Sequence, residues 1–190
     1  MLPRENPFAS HRIDALPYGL RGGSWRELIG QFEGLGRRAA VVGPRGSGKT
    51  AFLHSFGERI RDRLGVNAVY VRADRQDPPR NPSEMLLLLD GTERMGCLAR
   101  RRTLAACSRA WGILFALHRP TGATPLYRTA TSPDLLYDLA AQLATGRSGK
   151  ISRETLDRLF LRHGGNLREV FCDLYDRYAD SAPSTPNRPA

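Results

Sequence analysis

The sequence predicts an α/β fold of three layers, with a parallel five-stranded sheet covered by helices on both faces. Three observations predict it. Short apolar, strand-length runs alternate with amphipathic helix-length segments, a pattern that packs parallel strands side by side with helical crossovers between them. A glycine-rich stretch ending in Lys49-Thr50 stands between the first strand and the helix after it. A run of leucines, Leu86 to Leu89, ends in Asp90.

Residues 1–23 are punctuated by Pro and Gly and read as an extended segment. Ser24-Trp25-Arg26-Glu27 has the capping-box pattern, so a helix is expected over 24–33 with Trp25, Leu28, Ile29 and Phe32 on one face. Gly34 and Gly36 close it, and 37–42 follows as a buried strand. A helix is expected over 49–64, where Phe52, Phe56 and Ile60 recur every four residues and Gly65 supplies the stop. Residues 66–73 form the second strand and 85–90 the third, across a Pro-rich loop at 77–82. A helix over 93–110 leads to a fourth strand at 111–117 and a fifth at 126–130. Ser132-Pro133 is a cap followed by Pro at the first helical position, opening a helix to 144. After a break at 146–149, two helices are expected over 152–162 and 167–179, the second capped by Asn166 with Glu169 at the reciprocal position. The expected organisation is an extended segment (1–23), a core that carries the sheet and the glycine-rich stretch (24–146), a short helical lid (147–180) and a loose tail (181–190).

Composition bounds the function. The 190 residues are 41% hydrophobic and 25% charged, a balance that excludes wholesale disorder and can bury a core without staples. Cys97, Cys107 and Cys172 are too few for a disulfide scaffold and read as reduced thiols, so a cytoplasmic location is expected. No apolar run reaches membrane-span length, and the first residues hold no apolar signal-peptide segment. The net charge is +10, from 27 arginines and two lysines against 19 acids. A polyanion partner would use that charge. Arginine usage on solvated faces explains it equally, and the densest group, Arg100-Arg101-Arg102, fits an exposed helix. Nucleic acid is therefore not the favoured partner.

The strongest signal is Gly43-Pro44-Arg45-Gly46-Ser47-Gly48-Lys49-Thr50, a complete G-x-x-x-x-G-K-[ST] between strand and helix. Glycines let the main chain curl so that successive N–H groups point at phosphate oxygens, and the helix N-terminus adds unpaired donors and a positive dipole. Lys49 is placed to reach β- and γ-phosphates, and the Thr50 hydroxyl to ligate Mg²⁺. Phe52, in the next turn, is counted with the cofactor-binding residues.

This stretch resembles the P-loop NTPases. Asp90, closing its leucine strand, resembles their second motif, whose carboxylate holds Mg²⁺ through water. The strand at 66–73 between the P-loop helix and the Asp90 strand, with further strands after it, resembles the additional-strand branch that includes AAA+ ATPases. That resemblance implies a spatial strand order of 5-1-4-3-2. It also implies a phosphate-sensing role for His118 at the end of the fourth strand. Gly165-Asn166-Leu167-Arg168-Glu169 resembles the second-sensor motif, in which Arg168 would lean over the nucleotide.

The sequence departs from the family where AAA+ ATPases place Glu directly after the metal-side Asp. Here Gly91 stands there, and the next acid, Glu93, is the candidate catalytic base, with a first-turn helix acid as the bland alternative. Arg168 and His118 equally fit surface and loop roles, and Arg119 and Arg128 are arginine-finger candidates by position only. The cysteines and histidines lack zinc-site spacing.

The leading expectation is an ATP- and Mg²⁺-binding AAA+-like protein, a weak or partner-stimulated ATPase whose nucleotide state switches its affinity for a protein partner of unknown identity. A small-molecule or nucleotide kinase is one alternative, to be separated by strand order. A non-hydrolysing nucleotide-binding module with a basic protein- or nucleic-acid-binding face is the other. Because Lys49 is expected to meet the γ-phosphate, Lys49→Ala should weaken triphosphate binding far more than diphosphate binding, as titration of both nucleotides will measure.

Overall fold

The computed structural model describes residues 6–145 and 151–181. The expected break at 146–149 and the tail beyond Ser181 lie outside them. The chain forms two compact units, one of Pro17–Ala130 and one that joins the residues up to Leu16 with those from Thr131 onward.

The first unit is the sheet. Its strands are β1 (Arg38–Val42), β2 (Asn67–Arg72), β3 (Met85–Asp90), β4 (Gly112–Leu117) and β5 (Pro125–Arg128), in spatial order β2-β3-β4-β1-β5 and parallel throughout. Read from the other edge, this is the expected 5-1-4-3-2. The last strand but one has entered between β1 and β3. The register Val42↔Leu117 ends β1 and β4 level with each other, and Val42↔Arg128 does the same for β1 and β5.

Leucines fill β3 because both of its faces are covered. Leu86 and Leu88 pack with Ala39, Val41, Leu114 and Ala116 beneath two helices, α2 (Trp25–Gly34) and α3 (Lys49–Leu64). Leu87 and Leu89 point the other way, with Val71, Ile113, Cys107 and Ala110. Burial there pushes the Cys107 thiol up to about 11, so it behaves as an apolar side chain. The capping box of α2 is present in both halves, Ser24 Oγ accepting from Glu27 N–H and Glu27 accepting from Ser24 N–H. Gly65, at φ +69°, ends α3.

One expected helix is divided. In place of 93–110 there is a 3₁₀ turn at Thr92–Arg94, then α4 (Cys97–Ala106), then a second 3₁₀ turn at Cys107–Arg109. Met95 and Gly96 are both extended, with ψ of 144° and 154°, so helical hydrogen bonding cannot pass through them. Glu93 consequently sits in a tight turn against the sheet rather than at the head of a long helix.

The second unit is helical, with α1 (Ser10–Asp14), α5 (Pro133–Ala144), α6 (Arg153–Arg162) and α7 (Leu167–Ser181). The segment expected to be extended thus contains a short helix. Its neighbour Phe8 stacks on Phe171 at 6.2 Å, and Asn6 Nδ2 donates to the Tyr175 carbonyl at 2.8 Å. Leu136, Ala140 and Leu143 of α5 bury with Leu156, Leu159, Val170 and Leu174. By contacts, α5 therefore groups with α6 and α7, so the division falls after Ala130 and not after 146. Ser132 and Ser152 cap α5 and α6 as hydroxyl acceptors. Asn166 Oδ1 accepts from Glu169 N–H at 3.5 Å, the long limit of a hydrogen bond.

Gly57 marks where α3 lies closest to the sheet. A Cβ there would stand 2.8 Å from Leu88 Cδ1 and 2.9 Å from the Ala68 Cβ. Helix propensity alone favours Gly57→Ala by about 1 kcal/mol. Overpacking at these distances costs about 1–3 kcal/mol, so the substitution should be net destabilising, read as a lower urea midpoint at unchanged m.

Candidate functional site

The site lies at the carboxyl ends of the strands, the usual ligand position in α/β sheets. Main chain leaving β1 curls through Gly43–Gly48 into α3. Gly46 and Gly48 have φ of +68° and +84°, a region that strains other residues. At Gly43 the reason is space, since a Cβ would fall 2.0 Å from Thr129 Oγ1 and 2.5 Å from the Thr129 carbonyl. The loop is braced by Ser47, whose hydroxyl donates to Pro44 O at 2.8 Å and meets Thr129 Oγ1 at 2.6 Å. A hydroxyl has one proton, so Thr129 is the donor to Ser47.

Lys49 is buried, 9% exposed, and its Nζ donates to the carbonyls of Gly43 at 2.8 Å and Pro44 at 2.7 Å. An ammonium carries three donors, so one remains for a phosphate. Burial pushes the Lys49 pKa below its ordinary value, while the Asp90 and Glu93 carboxylates act in the opposite direction. Thr50 Oγ1 donates to Asp90 Oδ2 at 2.9 Å, across 40 residues of sequence. The metal-side hydroxyl and carboxylate expected from the two motifs are therefore side by side.

The resident group implied by such a loop is Mg²⁺ with a nucleoside triphosphate. The donor chemistry fits it. A hydroxyl and a carboxylate oxygen are hard ligands, and Mg²⁺ uses one or two such protein oxygens with phosphate and water completing its octahedron. Among the described residues no group of three or more His, Cys, Asp or Glu side chains is placed to hold an ion without the nucleotide.

Glu93 and His118, expected separately as base and sensor, are in contact. Glu93 Oε2 accepts from the His118 main-chain N–H at 2.8 Å and lies 2.5 Å from His118 Nδ1. Burial raises the Glu93 pKa, but the main-chain N–H and imidazole of His118 and the main-chain N–H of Arg119 outweigh it, so the carboxyl sits below its ordinary value. His118 also lines a groove of about 560 Å³ with Gly43, Pro44, Arg119, Arg128 and Thr129. The two arginines are exposed.

Gly91 stands where the AAA+ ATPases that the sequence resembles place Glu, and its conformation leaves little room for a side chain. Its φ is +83°, and a Cβ would come within 2.5 Å of both Arg94 Nη2 and Asp74 Oδ1. Asp74 and Arg94 are joined at 2.8 Å, tying the end of β2 to the turn after β3. That hydrogen bond lowers the Asp74 pKa and raises that of Arg94.

Phe52 is corrected by the structure. Its ring is 0% exposed and packs with Tyr127 at 4.8 Å, Tyr18 at 5.3 Å, Trp25 at 5.4 Å and Phe56 at 5.9 Å. The same spacing that aligned it with Phe56 and Ile60 turns it into the core and away from a ligand. Arg168 is exposed on the first turn of α7, in the helical unit. Arg45 is exposed on the loop.

Two residues escaped sequence reasoning. Thr129 follows β5, and only the strand order, which sets β5 beside β1, could have found it. Tyr70 lies in β2, and its hydroxyl donates to Asp90 Oδ2 at 3.0 Å. Burial and then the Asp90 charge push the Tyr70 pKa up to about 12. Its signal was slight, a polar tip two residues before the strand's end.

The strand order, the strand–loop–helix and the Thr50–Asp90 pair define the class, a P-loop NTPase fold of the AAA+-like, additional-strand type. Comparison with solved structures agrees. The chain is similar to domain III of the replication initiation protein DnaA from Thermotoga maritima, at 13% identity and TM-score 0.56, covering 84% of this chain and 85% of that one. It is also similar to Cdc6p from Pyrobaculum aerophilum, at 15% identity and TM-score 0.63, covering 92% of this chain and 65% of that one, just under two thirds of its length. These likenesses are of fold. No family model and no curated protein matches the sequence. No helix among the described residues is long and apolar enough to cross a membrane.

Thr129→Val keeps the shape but removes the donor to Ser47. The loss of about 1 kcal/mol of loop order should weaken triphosphate binding about 5-fold in a fluorescence titration.

Proposed function

We propose that this protein binds Mg-ATP at Gly43–Thr50 and acts as a nucleotide-dependent switch with weak or partner-stimulated hydrolysis. The observation that carries the reading is the Thr50–Asp90 contact at 2.9 Å beside the buried Lys49. Two distant motifs have no structural need to meet in this way, but a metal-bound triphosphate needs both. The main-chain N–H groups of Gly46 to Thr50 would surround the β-phosphate, and the third donor of Lys49 would reach the γ-phosphate. Thr50 and Asp90 would hold the metal, directly and through water. Mg²⁺, when bound, neutralises phosphate charge and polarises the γ-phosphoryl group. Arg168 would act as the second sensor, the role that the resemblance implies for it. The partner is a protein, and the compartment the cytoplasm.

Strand order favours the switch over a small phosphotransferase. A strand separates β1 from the Asp90 strand here, the arrangement that the AAA+-like resemblance implies. Both solved neighbours share the fold on which this reading rests. The similarity of one to a replication initiation protein makes a nucleic-acid-associated partner complex a natural place to look.

The test is phosphate release from Mg-ATP by the purified protein beside Lys49→Ala, with calorimetric ATP and ADP binding measured in parallel. Tight, Mg²⁺-dependent ATP binding that Lys49→Ala weakens at least 10-fold is the expected result. Equal, metal-independent binding of ATP by both proteins would overturn the reading.

A further inference from the structure

Glu93 is the next acid after Asp90 and the base expected from the sequence, yet its carboxylate is already engaged. Its Oε2 accepts the His118 main-chain N–H at 2.8 Å and faces His118 Nδ1 at 2.5 Å, and the Arg119 main chain nearby also favours the charged carboxylate. A carboxylate already engaged by the main chain and ring of His118 is a poor proton acceptor for water. It is a good anchor for an imidazole. An ionised carboxylate only accepts hydrogen bonds, so Nδ1 must carry the proton, and in the neutral ring the lone pair is then on Nε2. Of the two side chains the imidazole is the more open, 36% exposed against 23% for Glu93. It lines the groove with Gly43 and Pro44, where the phosphate loop begins. The carboxylate orients the ring, and the ring borders the same groove as the start of the loop.

We propose that His118 is the proton acceptor for hydrolysis at this site and that Glu93 is its positioning residue. The proposal rests on the Mg-ATP reading above. In the step, the water oxygen bonds to the γ-phosphorus as the bond to the β–γ bridging oxygen breaks, and that electron pair leaves with the diphosphate. The water proton passes to His118 Nε2 and from there to solvent. The imidazolium formed in between is stabilised by the Glu93 carboxylate on Nδ1. The logic is that of an acid–histidine pair in which the acid fixes tautomer and orientation without taking the proton. It also accounts for Gly91. With a histidine as acceptor, the residue after Asp90 is free to take the left-handed turn that carries Glu93 to the end of β4.

A double-mutant cycle on the full chain tests this, with three readouts: phosphate release at saturating Mg-ATP, ATP affinity by fluorescence titration, and the ¹⁵N shifts of the His118 imidazole. His118→Ala should lower turnover about 100-fold and Glu93→Gln about 10-fold, with ATP affinity held within about 3-fold in each. Because Glu93 acts through His118, the double variant should be no slower than His118→Ala alone. The wild-type shifts should report an Nδ1-protonated ring, and Glu93→Gln should shift them toward the tautomer mixture of a free histidine. His118→Gln provides the same comparison where the alanine variant folds poorly. A larger loss from Glu93→Gln than from His118→Ala, or multiplicative losses in the double variant, would overturn the proposal and return the base to Glu93. ATP binding by the wild type without turnover would also overturn it while leaving the nucleotide reading intact. A wild type that binds no ATP would remove that reading itself.

Discussion

The hydrogen-bonded ladder around β1 is the constraint on which the site depends. β1 pairs in parallel with β4 on one side and β5 on the other, ending level with Leu117 and Arg128. Parallel pairing sends all three chains out of the sheet at the same end. The phosphate loop leaves β1, His118 leaves β4, and Thr129 leaves β5, so three segments far apart in sequence converge within a few ångströms. β3, on the far side of β4, brings Asp90 to the same end. A change in strand order would separate these groups without altering any one of them.

That convergence explains why the polar groups are paired. Lys49 is buried and would be costly as an isolated charge, and it is offset by two carbonyls of its own loop and by the nearby carboxylates of Asp90 and Glu93. Asp90 accepts from both Thr50 and Tyr70, and Glu93 from the His118 backbone. The centre is a set of alternating charges held by main-chain and hydroxyl donors. A triphosphate would enter such a set through the remaining donor of Lys49 and by replacing the internal partner of Thr50, not by creating a site from loose side chains.

Gly91 shows how one backbone conformation redistributes chemistry. The left-handed residue after Asp90, crowded by the Asp74–Arg94 pair, has no room for a side chain. The acid displaced from this point appears two residues later, where a 3₁₀ turn aims it at the end of β4 and not along β3. The consequence is an acid–histidine pair that the usual Asp-Glu sequence would not produce.

Sequence alone determined the elements and their type. The five strands lie within two residues of expectation, and α3 spans the expected 49–64, because burial on both faces of a sheet or on one face of a helix writes its period directly into the order of apolar residues. The loop from Gly43 to Thr50 was equally legible, since its chemistry needs contiguous residues. Tertiary structure decided whatever depends on groups distant in the chain. Residue spacing cannot convey that Thr129 braces Ser47, that Tyr70 shares Asp90, or that Glu93 meets His118 across 25 residues. It also misplaced Phe52, whose nearness to the loop in sequence concealed the inward turn of its face of α3. The grouping of Phe8 and α5 with the last two helices had the same origin. Apolar faces reveal that they must be buried, and only the folded chain decides against what.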